Sequence, residues 1–311
     1  MILPADVREK IDKLLSSQNV TELKTVQKEL TQRYKLKSGF GESLIESKND
    51  SLIYSVSRMP ATFSVIYTLL CQLKGQGLIG DIKTAIDIGS GTGAGYFALR
   101  EFDENIESFL FERDKNMIDN FNFIEPKKNV QKFDLAKDDI NKKADLVLIS
   151  YVLSELSSEQ RKLAVKKLLD SSEKYLLIID TGTPKVWNEM MQLRLEIENL
   201  GGKVIAPCMS KVCPLKNDYC QFYARVERSS LHKKVKDAKL SFEDEKYFYL
   251  LISKNYIAQN SKSRVIRRPM HKTNQTSLVL CSLDGVSEKI YTKRNKEEFR
   301  LAKKSKINDL I

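Results

Sequence analysis

Hydrophobic residues change their spacing near residue 80 of the 311-residue chain. Before that point they recur at helical spacing. Segment 58–75 is the clearest example, because four apolar side chains fall at i, i+3, i+4 and i+7. These are Phe63, Ile66, Tyr67 and Leu70. Cys71 adjoins this stripe and is interpreted as a core residue. The pattern predicts a helical region over residues 1–80, with a polar loop at 37–50.

After residue 80, short runs of β-type residues alternate with amphipathic helices. The runs lie at residues 84–89, 108–112, 129–134, 145–150, 175–180 and 203–207. Residues 146–149 are continuously apolar, which is typical of a parallel strand buried on both faces. Ser157 with Gln160, and Thr183 with Pro184, are helix-start pairs between these strands. Such alternation predicts a doubly wound α/β sheet.

The C-terminal part has longer strand patterns and many basic residues. Its strand patterns lie at residues 221–227, 246–253, 277–282 and 288–293. Residues 261–272 are predicted as a basic loop, and the Lys-rich tail, 293–311, as a terminal helix. We therefore divide the chain into a helical region (1–80), an α/β domain (81–210) and a C-terminal part (207–311) that completes the sheet.

The formal charge of +11 belongs entirely to residues 228–311. Residues 228–311 hold 20 Lys and Arg against 9 Asp and Glu, which leaves 52 − 20 = 32 and 41 − 9 = 32 for residues 1–227. Such asymmetry favours a polyanionic partner such as nucleic acid, with a solubilising surface as the alternative. The predicted RNA-binding residues are Arg264, Arg267, Arg268 and Lys272.

Two further patterns concern the location of the protein. No apolar run approaches the ~18 residues of a membrane span. The first residues lack the basic segment and apolar core of a signal peptide. We therefore expect a cytoplasmic protein with no membrane partner.

A glycine-rich segment, Asp-Ile-Gly-Ser-Gly-Thr-Gly at residues 87–93, follows the first predicted strand. Its glycines allow a tight turn and a close approach of the backbone to a ligand at a helix N-terminus. The spacing differs from the dinucleotide fingerprint and from the phosphate-binding P-loop. An Asp that opens the loop, without a Lys, favours a ligand with an ammonium or sulfonium group over a bare triphosphate.

Acidic residues also stand at the ends of the next two strands. Glu112 ends the second strand, where it can bind ribose hydroxyls, and Asp134 ends the third, where it can accept from an adenine amino group. Together these features resemble the class I S-adenosylmethionine-dependent methyltransferase family over residues 84–210. The resemblance implies S-adenosylmethionine as cofactor; an α/β turn without a ligand is the alternative. The implied binding residues are Asp87, Gly89, Gly91, Gly93, Glu112, Asp134 and Ser150.

Catalytic residues are not assigned. The Asn/Asp-Pro-Pro-aromatic motif of many nitrogen methyltransferases is absent, and residues 150–156 (Ser-Tyr-Val-Leu-Ser-Glu-Leu) stand in its place. Tyr151 and Glu155 lie near the expected cleft, where they would orient or deprotonate a substrate. Helix-start packing explains both residues equally well.

Cysteines form a second candidate site. Cys208, Cys213 and Cys220 lie within one short segment, and Cys281 follows later. An odd total of five without a secretion pattern argues against a disulfide framework. Four thiolates can hold zinc or an iron–sulfur cluster. The spacing lacks the second close pair of cysteines that is usual for zinc sites. A zinc site and thiols without any metal both remain as alternative interpretations of these cysteines.

Several blocks together resemble the methyltransferase-like proteins of small-ribosomal-subunit assembly, which are found in bacteria and mitochondria. The matching blocks lie at residues 54–63, 87–93, 150–156, 182–184, 207–214, 218–220 and 243–246. The resemblance implies a [4Fe-4S] cluster on Cys208, Cys213, Cys220 and Cys281, with zinc as the alternative. It also implies ribosomal RNA of an assembling small subunit as the partner of a monomer. Met209 and Ser210 replace a Pro-His pair that is usual in the family.

The expected fold is therefore a class I methyltransferase-like α/β sheet with a helical N-terminal region and a cysteine-ligated, basic C-terminal part. Two functions of different classes follow. One is an enzyme that methylates ribosomal RNA or a ribosomal protein. The other is a non-catalytic assembly factor that binds RNA, S-adenosylmethionine and the cluster, because a fold does not imply an activity. The missing base favours the second function, and a small-molecule methyltransferase leaves the basic part and the cysteines unexplained.

Overall fold

The computed structural model describes residues 1–16, 18–254 and 262–311; Ser261, the first residue of the predicted basic loop, lies outside them. In these ranges the helices are α1 (Ala5–Leu15), α2 (Val20–Lys37), α3 (Lys48–Ser57), α4 (Met59–Gly75), α5 (Ala94–Phe102), α6 (Lys115–Ile124), α7 (Ser158–Ser171), α8 (Pro184–Asn199), α9 (Ser230–Val235) and α10 (Lys296–Lys304). The strands are β1 (Thr84–Ile88), β2 (Glu107–Glu112), β3 (Val130–Lys132), β4 (Ala144–Ser150), β5 (Ser172–Thr181), β6 (Lys203–Ala206), β7 (Phe222–Glu227), β8 (Phe242–Ser253), β9 (Arg264–Val265), β10 (Met270–His271), β11 (Gln275–Ser282) and β12 (Gly285–Thr292).

Helices α1–α4 confirm the predicted helical region. Helix α3 begins at a capping box, in which the Ser47 hydroxyl accepts from the Asp50 N–H and the Asp50 carboxylate accepts from the Ser47 N–H. Pro60 lies in the first turn of α4, and the predicted stripe is buried apart from the half-buried Tyr67. Cys71 is exposed, so its interpretation as a core residue is wrong. A helix turns about 100° per residue, which carries this position past the edge of the buried face.

The main sheet has the strand order β3-β2-β1-β4-β5-β8-β6. Strands β1 to β5 pair in parallel, whereas β8 runs antiparallel to both β5 and β6. The order 3-2-1-4-5 is that of a doubly wound sheet, in which ligands bind beyond the carboxyl ends of the strands. The predicted α/β fold and each of its first six strands are confirmed. Helices α7 and α8 also begin at the predicted pairs.

Strand β8 is paired along both edges. One edge pairs with β5 over residues 247–253. The other edge carries two strands end to end: β7 pairs with residues 242–247, and β6 with residues 251–253. The chain between β6 and β7 therefore leaves this edge and returns to it.

One hydrophobic cluster joins the N-terminal helices to the main sheet, and it extends from Leu3 to Ile307. Burial therefore does not mark a boundary near residue 80, and the domain limits drawn from the sequence stay predictions. None of the helices in the described ranges is long and apolar enough to cross a membrane.

The C-terminal part forms a smaller sheet of order β10-β11-β12, with β9 paired to β11. Its apolar side chains pack against α10, which confirms a helix in the Lys-rich tail. The predicted basic loop differs, because it contains β9 and β10. Val265 and Ile266 are fully buried there, and burial of these two residues holds β9 against β11.

Asn308 links this sheet to the rest of the molecule through buried hydrogen bonds. Its side-chain oxygen accepts from the Tyr249 hydroxyl at 2.8 Å and from the Arg264 guanidinium at 2.9 Å. Its amide nitrogen donates to Gln72 at 3.0 Å, and its backbone oxygen accepts from Gln76 at 2.7 Å. These bonds connect α4, β8 and the C-terminal segment.

Candidate functional site

The glycine loop turns from the end of β1 into the start of α5. Gly89, Gly91 and Gly93 have φ angles of +69°, +54° and +95°, a region that L side chains rarely adopt. A Cβ atom at Gly93 would overlap the Phe121 ring. A Cβ at Gly91 would meet nothing closer than ordinary van der Waals contact, with the Tyr54 ring as its nearest neighbour at 3.8 Å. Gly93 therefore serves the packing of the loop, whereas Gly91 leaves room for a ligand.

A cleft with an empty volume of about 730 Å³ opens beside this loop. It is lined by residues at the carboxyl ends of β1, β2 and β4 and by residues of the N-terminal region. Of the predicted cofactor-binding residues, the cleft is lined by Gly89, Gly91, Glu112, Asp134 and Ser150. Asp87 and Gly93, the first and last residues of the loop, do not line it.

Asp87 supports the loop from the interior. Its carboxylate lies against Gly95 in the first turn of α5, and neither oxygen has a hydrogen bond of normal geometry among the described residues. Burial and, to a lesser extent, the nearby Glu112 raise the pKa of this carboxyl, the backbone N–H of Tyr96 lowers it, and together they set it at about 7. A negative charge at this position faces a helix N-terminus, which is favourable for an anion.

Glu112 ties the end of β2 to the glycine loop. One oxygen accepts from the backbone N–H of Gly91 and the other from that of Asp114, both at 2.8 Å. Burial raises the pKa of the carboxyl, and these amide donors lower it. The side chain is thus held in the cleft, where a ligand would meet it.

A segment of the N-terminal region, residues 38–45, lies over the cleft; we call it the strap. The Ser38 hydroxyl donates to the carbonyl of Ser154 at 3.0 Å, and the Gly41 N–H donates to that of Glu155 at 2.8 Å. Arg113 donates to the carbonyl of Glu42 at 2.9 Å. The strap is therefore fastened both to the segment after β4 and to the residue after Glu112. The sequence predicts only a polar loop here.

Glu155 lies inside the cleft under the strap. One of its oxygens lies 3.2 Å from Nη2 of Arg113, and the carboxyl also lies beside the Tyr34 hydroxyl. Burial raises its pKa to about 8, although Arg113 lowers it. The carboxyl is therefore largely protonated at neutral pH, which makes it a poor general base in this state.

Tyr151 begins the segment after β4 in the left-handed region, with φ +59°. Its hydroxyl is buried and lacks a hydrogen-bond partner among the described residues. The Arg58 guanidinium lies 5.4 Å from the centre of the Tyr151 ring and pairs with Glu245 at 3.0 Å. Sequence reasoning placed Tyr151 and Glu155 near the cleft but gave no role to Arg58 or Tyr54. Tyr54 and Arg58 are four positions apart, a spacing that puts both side chains on one face of a helix, and this spacing could have indicated that they act together.

The four predicted metal ligands line a second, smaller pocket with an empty volume of about 340 Å³. Cys208 lies two residues after the end of β6, and Cys220 lies two residues before the start of β7. Cys213 lies between them along the chain, and Cys281 is on β11. Burial, with smaller contributions from Cys213 and Cys281, raises the pKa of Cys208 to about 11, so the thiols are near neighbours. Among the described residues, no group of three or more His, Cys, Asp or Glu side chains has the arrangement of a metal site.

The predicted RNA-binding residues have different surroundings. Arg264 is buried, with 1% of its surface exposed, and donates to the carbonyl of Pro207 and to other interior oxygens. This corrects its assignment to an RNA-binding surface, because a guanidinium enclosed by protein oxygens cannot contact a phosphate. Arg267 forms an ion pair with Asp218, and Arg268 with Asp244. Lys272 is exposed and has no ion pair among the described residues.

Other exposed cations lie in the residues 289–306, which we call the basic C-terminal segment. They have no ion pair within the part of the chain that the structure describes, so their charge faces solvent. They are Lys289, Lys293, Arg294, Lys296, Arg300, Lys303, Lys304 and Lys306.

Comparisons with known proteins bear on these sites. Residues 48–311 match a family model described as mitochondrial small ribosomal subunit Rsm22. No curated protein sequence matches the chain.

Several solved methyltransferase structures are similar to the chain. A candidate RNA methyltransferase from Pyrococcus horikoshii has 16% identity, covering 73% of this chain and 97% of its own, with a TM-score of 0.40. Magnesium protoporphyrin IX methyltransferase from Synechocystis, with bound S-adenosylmethionine, has 11% identity, covering 72% and 91%, with a TM-score of 0.41. The N-methyltransferase NodS from Bradyrhizobium japonicum, with S-adenosylhomocysteine, has 10% identity, covering 60% and 84%, with a TM-score of 0.39. At these TM-scores the three structures add nothing to the fold that the strand order already shows.

The raised pKa of Glu155 predicts how stability changes with pH. An unfolded glutamate titrates near pH 4.3, so the folded state holds an extra proton between that pH and about 8. Stability from this group is therefore present below pH 4.3 and is lost as the pH rises through 8. Glu155→Gln removes the titration. From pH 5.5 to 8.5 the wild type should lose about 3 kcal/mol more unfolding free energy than the variant, as measured by urea denaturation.

Glu159→Gln is the matched control, because Glu159 is exposed on the first turn of α7. Its pH dependence should equal that of the wild type. An identical pH slope in Glu155→Gln and the wild type would contradict the buried, protonated carboxyl.

Proposed function

Because the chain belongs to the Rsm22 family of mitochondrial small ribosomal subunit proteins, we propose that it binds S-adenosylmethionine in the cleft and acts on the small ribosomal subunit through its C-terminal part. The observation that carries the proposal is the cleft at the carboxyl ends of β1, β2 and β4, with Gly91 open towards it. A doubly wound sheet binds nucleotide-like ligands at this position. Monomeric state and contact with ribosomal RNA remain part of the proposal.

The cleft residues fit the parts of S-adenosylmethionine. Gly91 allows the methionine portion to approach the backbone, while Glu112 supplies a buried carboxylate for the ribose hydroxyls. Asp134 and Ser150 line the same cleft, Asp134 for the adenine amino group. Asp87 and Gly93 act indirectly, since they do not line the cleft. The bound cofactor would supply an activated methyl group.

Of the two candidate functions, the strap favours the non-catalytic assembly factor. It covers the cleft at the segment after β4, which is the reaction side in the resembling methyltransferases. Glu155, the carboxyl nearest to that side, lies 3.2 Å from Arg113, and burial raises its pKa to about 8, so it is largely protonated at neutral pH. Methyl transfer would require the strap to move, whereas retention of the cofactor would not.

The second part of the proposal is a metal centre on Cys208, Cys213, Cys220 and Cys281. Four thiols from two distant segments line one pocket, and thiolates are the ligands of both [4Fe-4S] clusters and structural zinc. The resemblance to the ribosome-assembly family favours the cluster. A centre there would cross-link the loop between β6 and β7 to β11, and so attach the small sheet to the main sheet.

The third part is an RNA-binding surface on the basic C-terminal segment. Its cations are exposed and free of ion pairs within the described residues, whereas Arg267 and Arg268 are neutralised by Asp218 and Asp244. Free cations are the groups that phosphates attract. Cytoplasmic location stays a prediction, because the description of the family names the mitochondrial ribosome.

Gly91→Val tests the cofactor site. The added side chain would enter the cleft, so the dissociation constant for S-adenosylmethionine should rise at least about tenfold in calorimetry, a change of about 1.4 kcal/mol. Gly77→Val is the matched control, since Gly77 has a φ of +70° and open space around it but lies outside the cleft. Both variants carry the same backbone strain, of ~1–2 kcal/mol. Equal affinity in both would refute the assignment.

Metal analysis tests the cysteine centre. Protein purified without oxygen should be brown and contain about four irons per chain. Each Cys→Ser change at the four positions should lower the iron content, while Cys71→Ser should not, because Cys71 is exposed on α4. A colourless protein with about one zinc per chain would refute the cluster and retain the four-thiolate site. Protein without any metal would refute both.

Charge reversal tests the RNA surface. The triple change of Lys293, Arg294 and Lys303 to Glu should weaken binding to small ribosomal subunits and flatten its salt dependence, which is about −0.7 per phosphate contact on single strands. Reversal of Arg267 and Arg268 should have a smaller effect, because both already have acidic partners. A control with Lys13, Lys28 and Lys35 reversed has the same charge change on the N-terminal helices. If the control weakens co-sedimentation as much as the first triple, the segment is not a specific surface.

A further inference from the structure

Arg264 is a buried cation without a buried anion. Its Nε donates to the carbonyl of Pro207 at 2.8 Å, and its Nη1 donates to Gln76 and to two oxygens of Asn308 at 2.9–3.0 Å. All these acceptors are neutral, and no carboxylate of the described residues forms an ion pair with Arg264. An isolated charge in a protein interior costs several kcal/mol unless it is paired. A negatively charged group close to Arg264 would therefore stabilise this buried positive charge.

The cysteine pocket is the nearest candidate for that partner. Arg264 is the cross-strand neighbour of Cys281 in the β9–β11 pair. It also holds the carbonyl of Pro207, the residue immediately before Cys208. The Arg264 guanidinium thus contacts the backbone next to Cys208, and Arg264 stands opposite Cys281 in the sheet.

A second buried arginine supports the other end of the same loop. Arg194 is 4% exposed and donates to the carbonyl of Ser210 at 2.7 Å. Unlike Arg264, it has an acidic partner, Glu198, at 3.1 Å. Both arginines hold the backbone around Cys208, and both positive charges lower the pKa of its thiol, Arg194 more than Arg264. Only Arg264 also stands opposite Cys281 and lowers the pKa of that thiol, and it has no acidic partner among the described residues.

We propose that Arg264 is the charge-balancing and positioning residue of an anionic four-thiolate centre on Cys208, Cys213, Cys220 and Cys281. The inference depends on the metal centre proposed above. Four thiolates around a zinc ion or an oxidised [4Fe-4S] core carry a net negative charge, which a fixed guanidinium stabilises in a low-dielectric pocket. Arg264 does not ligate the metal. It orients the loop that carries Cys208 and offsets the charge of the centre.

The zinc affinity of the metal-free protein distinguishes the effect of the Arg264 charge from the effect of its hydrogen bond to the backbone. Arg264→Gln removes the charge and should weaken zinc binding about 10- to 100-fold, the usual loss when groups around the ligands are changed. Arg194→Gln removes a comparable carbonyl donor, but its charge is already balanced, so it should weaken binding less. Arg264→Lys keeps the charge without the planar fork and should fall between Arg264→Gln and the wild type. Competition with a chromophoric chelator measures each affinity.

The reduction potential of the anaerobic protein provides a second measurement if it holds the cluster. Loss of a nearby positive charge disfavours the more negative reduced state, so Arg264→Gln should shift the potential to a more negative value. Arg194→Gln should shift it less. If Arg264→Gln fails to fold, Arg264→Lys is the deciding variant. Because it keeps the charge but loses the planar fork, its reduction potential should stay close to that of the wild type, while its zinc affinity should be partly reduced.

The outcomes distinguish the two proposals. Wild-type protein that binds neither iron nor zinc refutes the metal centre itself. Wild-type protein that binds metal, with equal affinities and potentials in Arg264→Gln and Arg194→Gln, refutes the role of Arg264 and leaves the centre in place.

Discussion

The pairing of β8 on both edges is the constraint on which the rest of the structure depends. Strands β6 and β7 share one edge of β8, so the chain between them must leave this edge opposite Leu251 and return to it opposite Tyr247, which closes it into a loop. Cys208 and Cys220 stand at the two ends of this loop, which brings them together although twelve positions separate them along the chain. The opposite edge of β8 completes the α/β sheet, so the same strand supports the cleft and the cysteine pocket.

Local signals predicted the elements, while contacts between distant segments decided the surroundings of the site residues. The glycine loop and the strand of Glu112 were predictable because turn geometry and strand burial leave a pattern within a few residues. The strap was not, since its role depends on Ser154 and Glu155, more than 100 positions away. Arg264 gave a misleading signal. In the sequence it is one cation among many, and only its contacts with Gln76 and Asn308 show that it is buried.

The charges of the C-terminal part consequently divide into three groups. Arg264 lies in the interior, Arg267 and Arg268 are paired with carboxylates on neighbouring segments, and the cations of residues 289–306 face solvent. A net charge counts these groups equally, although only exposed cations without an acidic partner, such as the third group and Lys272, are free to attract a polyanion over distance. The N-terminal region contributes directly to the candidate site, because Tyr34, Tyr54 and the strap form one wall of the cleft.

The hydrogen bonds around Asn308 have a consequence for the order in which the molecule is completed during synthesis. Gln72 and Gln76 of α4 are made early, but their partner follows 236 and 232 positions later. Contacts of such long separation form late, because the intervening chain must first be closed into a loop. While the ribosome still holds the last segment, the polar end of α4 faces water and the small sheet has no attachment at Asn308. The attachment of the small sheet to the end of α4 therefore requires the chain to have been made at least as far as Asn308.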